Sequence, residues 1–218
     1  MTQFWYEILI CFLAGAGAGL GTGFAGMSAA TVISPMLITF LGLPAYDAIG
    51  IALASDVLAS AVSARTYSKS GALDIKSGLV MMCGVLSMTL VGSWLSTFVP
   101  NNALGGFSVC MTLLLGLRFL FFPVTSPSHS LQSASRKVRF LKGAAGGAVI
   151  GLICGFFGVG GGMMMLLVLT TVLGYELKTA VGTSVFVMTF SALFGAASHF
   201  ALGSPPQLDL LAFCVIFT

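Results

Sequence analysis

The sequence predicts an all-α polytopic membrane protein made of two inverted-topology repeats, each interrupted by a glycine-rich turn. Three observations predict it. Nine basic and six acidic residues among 218 make only 7% charge, while 57% of the chain is apolar and the mean hydropathy is +1.06. The chain resembles itself at a fixed offset. Its basic residues also fall into two clusters that must share one side of a bilayer.

A soluble domain carries roughly 25% charged residues. A chain with 7% cannot cover a globule with charge, which argues against a soluble enzyme, a nucleic-acid binder or a disulfide scaffold. Cys11, Cys83, Cys110, Cys154 and Cys214 all lie in apolar stretches and form no C-x-x-C pair, so they read as reduced packing residues. With two histidines, no metal cluster and no cofactor are expected. The stretch 1–7 has no Lys or Arg, so it lacks the basic flank of a cleavable signal peptide.

The repeat has an offset of 132 residues: Gly15, Ala16, Gly19, Leu20, Gly23, Phe24 and Gly26 match Gly147, Ala148, Gly151, Leu152, Gly155, Phe156 and Gly158. Thr39, Leu41, Gly42, Ala48 and Gly50 then match Thr171, Leu173, Gly174, Ala180 and Gly182. After three extra residues, Leu73-Asp74 recurs as Leu208-Asp209. A gap-free register of this length is a repeat signature.

Each copy reads alike. An apolar helix (8–24; 144–157) carries glycines at four-residue spacing, a stripe suited to close helix packing. A glycine turn (23–30; 155–162) leads to a short apolar segment (31–42; 163–173). A polar corner follows, then a longer helix (47–64; 179–200). Copy one adds two plain spans, 78–98 and 104–122. The division is 1–122 for the first repeat with its plain spans, 123–142 for a basic cytoplasmic loop and 143–218 for the second repeat. A full second copy would need two more spans of about 20 residues each, so the chain reads as C-terminally truncated or as a shortened variant.

Arg65, Lys69 and Lys76 form one basic cluster, and Arg136, Lys137, Arg139 and Lys142 the other. Both are expected on the cytoplasmic side, with the two plain spans between them. The stretch 201–208, which corresponds to the first cluster, has no basic residue and is expected outside. Copy one therefore ends inside and copy two outside, and Met1 is expected outside, with Trp5 and Tyr6 as interfacial anchors. His199 is expected at the outer interface, and Arg118 to snorkel to the cytoplasmic side. Inverted repeats typify secondary transporters, whose site lies near the midplane.

The run 8–43 is too long for one span and marginal for two, so a broken or re-entrant helix pair is expected. A turn that ends at a helix N-terminus offers N–H donors and a positive dipole end. The candidate anion contacts are Gly26, Met27, Ser28, Ala29 and Ala30 in copy one and Gly158, Val159, Gly160, Gly161 and Gly162 in copy two. The alternative is glycine used for helix packing alone. Thr183 and Ser184 add hydroxyls, although such groups often bond the carbonyl one turn back. Asp56, the one acid well inside an apolar helix, is a candidate for solute contact or proton transfer; the alternative is a structural hydrogen bond to a neighbouring helix. The G-x-G-x-x-G of 21–26 interrupts a membrane helix and lacks a dinucleotide-fold context. Gly182-Thr183-Ser184 with His199 lacks the glycine expected after a protease nucleophile.

The repeated motif, Gly158 to Gly162 followed by Ala180-Val181-Gly182-Thr183-Ser184, with the run from Gly26 to Pro35 and Gly71-Ala72-Leu73-Asp74, resembles the TauE/SafE sulfite exporter family of membrane permeases. The resemblance spans the chain. It implies a secondary transporter for small oxyanions (sulfite, sulfonates or carboxylates) in a bacterial or archaeal cytoplasmic membrane, in contact with lipid and open to homo-oligomer formation. Leu167 stands where the family's second copy often has proline, and Pro35 keeps it in the first. The alternatives are a non-transporting membrane assembly subunit and a passive anion channel.

Overall fold

A computed structural model describes residues 2–121, 136–157, 161–202 and 207–218. The described residues form helices and connecting turns with no strand: α1 (Thr2–Ala25), α2 (Ala30–Leu41), α3 (Ala45–Lys69), α4 (Ile75–Ser96), α5 (Asn101–Phe121), α6 (Arg136–Phe157), α7 (Gly161–Leu167), α8 (Leu177–Leu202) and α9 (Leu208–Phe217). A π-helical turn, Val168–Val172, extends α7. Five of these helices are long and apolar enough to cross a membrane: α1, α3, α4, α6 and α8. At 25 residues, α3 is about 37 Å long, against a hydrocarbon core of ~30 Å. The surface is apolar, with Phe24, Leu120, Leu208 and Ile216 exposed, while Thr22, Ser34, Ser55, Ser60, Thr89 and Ser191 are buried. Apolar side chains outward and hydroxyls inward suit a lipid solvent.

The helix breaks fall at the glycine turns, but the helices are longer than the hydropathy pattern implies. In particular, Arg136, Lys137, Arg139 and Lys142 lie in the first two turns of α6, not in a loop. Arg65 and Lys69 close α3, and Lys76 opens α4. Cys11, Cys154 and Cys214 are buried as expected, whereas Cys83 and Cys110 are exposed on the apolar surface.

The packing units do not follow chain order. One apolar core joins α1, α2 and α3 with Cys214 and Leu210 of α9. The other joins Met81 and Val85 of α4 with α6, α7 and α8. The helix that follows the long helix in each copy, α4 or α9, thus packs with the other copy. The glycine stripes make this possible. A Cβ on Gly147, Gly151 or Gly155 of α6 would fall on the carbonyls of Met81, Val85 and Thr89 of α4. Glycines 84 and 92 of α4 return the approach, against Ala144 and Leu152. In copy one, Gly15 and Gly19 lie equally close to the backbone of Phe217 and Thr218, beside a Phe12–Phe217 edge contact with centroids 5.4 Å apart. Both pairs run parallel.

The two bundles meet along α3 and α8, the corresponding long helices, and these run antiparallel. Gly50 near the start of α3 lies against His199 and Phe200 near the end of α8. Leu53 lies against Gly195, and Tyr67 near the end of α3 against Gly182.

The α3–α4 corner is pinned to the second bundle through Asp74, which caps α4. Its carboxylate accepts from the N–H groups of Lys76 (3.1 Å) and Ser77 (3.2 Å), from Ser77 Oγ (2.9 Å) and from Tyr175 Oη (2.5 Å). Its own N–H donates to Thr183 Oγ1 at 3.1 Å. Burial opposes ionisation of this carboxyl, but the hydrogen bonds outweigh it and hold the group below the usual carboxylate range.

Three outcomes follow. Gly151→Ala forces α4 and α6 apart, at about 1–3 kcal/mol, and lowers the thermal midpoint in detergent. Gly116→Ala, where a Cβ meets nothing within 4 Å, leaves the midpoint unchanged or raises it, since alanine favours helix by up to about 1 kcal/mol. Because Asp74 is depressed when folded, its stabilisation is present above the ordinary Asp value of 3.8 and is lost as pH falls below it. Midpoints measured across that window fall in the wild type and fall less steeply in Asp74→Asn, which starts lower at neutral pH.

Candidate functional site

The chain leaves α1 at Gly26, whose φ of +62° lies in the left-handed region that glycine adopts without cost. The N–H groups of Gly26 and Met27 return to the carbonyls of Thr22 (3.1 Å) and Gly21 (3.2 Å). The α2 helix then starts with no cap from its own side chains. Its cap comes from α3. Asp56 Oδ1 accepts from the Ala29 N–H at 2.8 Å, and Oδ2 accepts from Ser28 Oγ at 2.5 Å. Asp56 is 2% exposed and sits eleven residues into α3, about 16 Å along its axis. A carboxylate at a helix N-terminus satisfies orphan N–H groups and meets the positive end of the dipole. The amide cradle of copy one is therefore filled by the protein's own anion.

Copy two places the start of α7 against the first break. A Cβ on Gly162 would collide with Gly26 O, Ser28 N and Met188 Sδ. One on Gly26 would lie 3.0 Å from Ser184 Oγ and 3.1 Å from Val181. Six of the candidate residues (Gly26, Ser28, Ala29, Asp56, Gly162 and Ser184) thus converge where α3 and α8 cross. Ala30 and Gly161 are buried beside them, Gly161 against Cys154. Met27 folds back on Gly21 of α1. Gly158, Val159 and Gly160 lie outside the described residues.

The hydroxyls divide. Ser184 donates to its own Val181 carbonyl at 2.8 Å, as such groups often do. Thr183 accepts from Asp74 and belongs to the α4 corner. At the offset of 132, Asp56 corresponds to Met188, so copy two presents a thioether where copy one presents a carboxylate.

Sequence reasoning missed Tyr67 and Tyr175 and misplaced His199. Tyr67 Oη donates to Gly23 O at 3.0 Å and ties the end of α3 to the end of α1. Tyr175 reaches Asp74 from the corner before α8. His199 was expected at the interface, yet it is 1% exposed, on the side of α8 that packs against the start of α3, where its Cβ lies beside Gly50. Its ring stacks on Tyr46 with centroids 4.5 Å apart. Tyr67 and His199 are counterparts at the repeat offset, a signal present in the sequence; nothing in the sequence marks Tyr175.

The chain is similar to bacterial membrane proteins over nearly its whole length. It is 26% identical to the "Probable membrane transporter protein YunE" of Bacillus subtilis, covering 94% of this chain and 80% of that protein. It is 23% identical to the "Probable membrane transporter protein YdhB" of the same organism, covering 90% of this chain and 78% of that protein. A "Probable membrane transporter protein" of Haemophilus influenzae is 26% identical, with 90% and 75% covered. No solved structure matches the chain. The family model "Sulfite exporter TauE/SafE" matches residues 11–218, and the chain therefore belongs to this family of membrane transporters.

Proposed function

We propose that the protein is a secondary permease for small oxyanions such as sulfite or organosulfonates, working by alternating access in the cell membrane. The observation that carries this reading is the meeting of two helix breaks, one from each copy, beside a buried carboxylate at the α3–α8 crossing. Backbone breaks at membrane depth are tolerated where they are buried in protein or line a water-filled cavity, and paired broken helices mark transporter sites.

The two copies cross the bilayer in opposite senses in this reading. The antiparallel run of α3 and α8 supports it, as does the twofold recurrence of the glycine-faced pairing, α6 on α4 and α1 on α9. The ends carrying Arg65, Lys69, Lys76 and the start of α6 face the cytoplasm, and the N-terminus faces outside.

The solute is held at the copy-two turn, Gly158 to Gly162, with Ser184 and the copy-one turn closing the other side. Asp56 supports this choice. It already fills the α2 cradle, whereas the matching position in copy two is Met188. Amides suit an anion here because a buried Lys or Arg is costly in hydrocarbon. Asp56 then has a structural role first, holding the α1–α2 turn against which copy two packs.

Proteoliposomes of the full chain test this. Uptake of labelled sulfite and sulfoacetate should saturate and show counterflow. Gly161→Leu should reduce it at least about tenfold, a loss of roughly 1.4 kcal/mol in solute or transition-state stabilisation. Saturable flux unchanged in that variant removes the site, and flux without saturation favours a channel.

Asp56→Ala leaves the Ala29 N–H and the Ser28 hydroxyl buried without their acceptor, at about 1–3 kcal/mol. Its thermal midpoint should fall further than that of Asp56→Asn, which keeps one acceptor oxygen for Ala29.

A further inference from the structure

Beside Asp56 and the buried cysteines, the interior of the described residues holds the imidazole of His199. His199 Nδ1 lies 3.0 Å from the Gly195 carbonyl, so this nitrogen carries the hydrogen. That choice fixes the tautomer and leaves Nε2 as a lone pair. Among the described residues, Nε2 is buried with no hydrogen-bond partner. An unpartnered buried acceptor costs about 1–3 kcal/mol and invites an explanation. Its place is distinctive. The ring lies at the end of the α3–α8 crossing away from the Arg65–Lys76 cluster, stacked on Tyr46, with its Cβ beside Gly50.

The groups around it set what a proton would do there. On α3 the titratable neighbours are Tyr46, stacked on the ring, and Asp47, next in sequence. The last turns of α8 add none, and His199 forms no ion pair among the described residues. On α9, which also packs on α3, Asp209 lies in the first turn and Cys214 faces Cys11. A proton on Nε2 would turn the lone pair into a donor and the ring into a cation with no carboxylate bound to it. An incoming anion would compensate such a charge.

We propose that His199 Nε2 is the proton site coupled to solute movement, so that a proton and an oxyanion enter the outer end of the α3–α8 crossing together. This rests on the permease reading and adds the coupling ion to it. The step is a reversible protonation: the proton comes from bulk water, sits on Nε2 while the anion is bound, and leaves with the anion on the other side. Tyr46 is a positioning residue, holding the ring plane.

The test uses full-length protein in proteoliposomes with sulfoacetate as solute and a pH-sensitive dye inside. In the wild type, solute influx should carry protons, and an inward proton gradient should drive accumulation. In His199→Gln and His199→Phe, solute counterflow should stay within about twofold while proton-driven accumulation falls at least about tenfold, because neither side chain titrates between pH 5 and 8. Either variant that keeps proton-driven accumulation overturns the proposal, as does a variant that loses counterflow and accumulation equally while keeping its wild-type thermal midpoint. If no form moves the solute, the permease reading fails by itself, and the proton site is then judged by nuclear magnetic resonance of labelled imidazole in detergent. A reversible Nε2 titration in the folded protein that disappears in His199→Gln supports the proton site. A ring that stays neutral down to acid unfolding refutes it.

Discussion

A helix interrupted inside hydrocarbon exposes amide groups that lipid cannot satisfy, and the interior of this protein is arranged around that constraint. At the first interruption the answer is a single side chain. Asp56 reaches from the middle of α3 to take the Ala29 N–H and the Ser28 hydroxyl. That grip places the Gly26 turn where Gly162 and Ser184 meet it. The position of the break, the contact between copies and the registry of α2 on α3 therefore share one carboxylate. An apolar residue there would leave α2 without a cap and the crossing without a fixed floor.

The second organising force is steric. Parallel helices approach backbone to backbone wherever glycine recurs every fourth residue, and membrane helices associate through such small-residue faces. Gly147, Gly151 and Gly155 against α4, and Gly15 and Gly19 against α9, form the same kind of seam. Each copy lends the helix after its long helix to the other, so the bundles are coupled through the α3–α4 corner. Asp74 fastens that corner by its bonds to Tyr175, Ser77 and Thr183.

Much of this was legible in the sequence. Glycine clusters inside apolar runs marked both breaks, because few other signals explain turns at membrane depth. The stripes announced close packing, yet a smooth face says only that a neighbour approaches, not which one. The exchange of α4 and α9 was hidden for that reason. Asp56 stood out as an acid among alanines and leucines, but its partners lie 27 and 28 residues away and required the fold. The basic residues at 136–142 looked like a loop because charge usually ends a membrane helix; in fact they begin one. His199 was placed at the interface by counting from the helix end. Burial depends on what lies across from a residue, and here that is the Tyr46 ring at the start of α3.

The unequal pair Asp56 and Met188 bears on how such a duplicated chain can change over time. Once one half relies on its own acid and the other does not, the halves cease to be interchangeable parts. A recombination that pasted the second half's long helix over the first would remove the α2 cap, and the reverse exchange would bury a carboxylate beside a turn with no serine at the matching position, which is Gly160. A difference at one pair of positions therefore makes the two halves unequal parts of the fold.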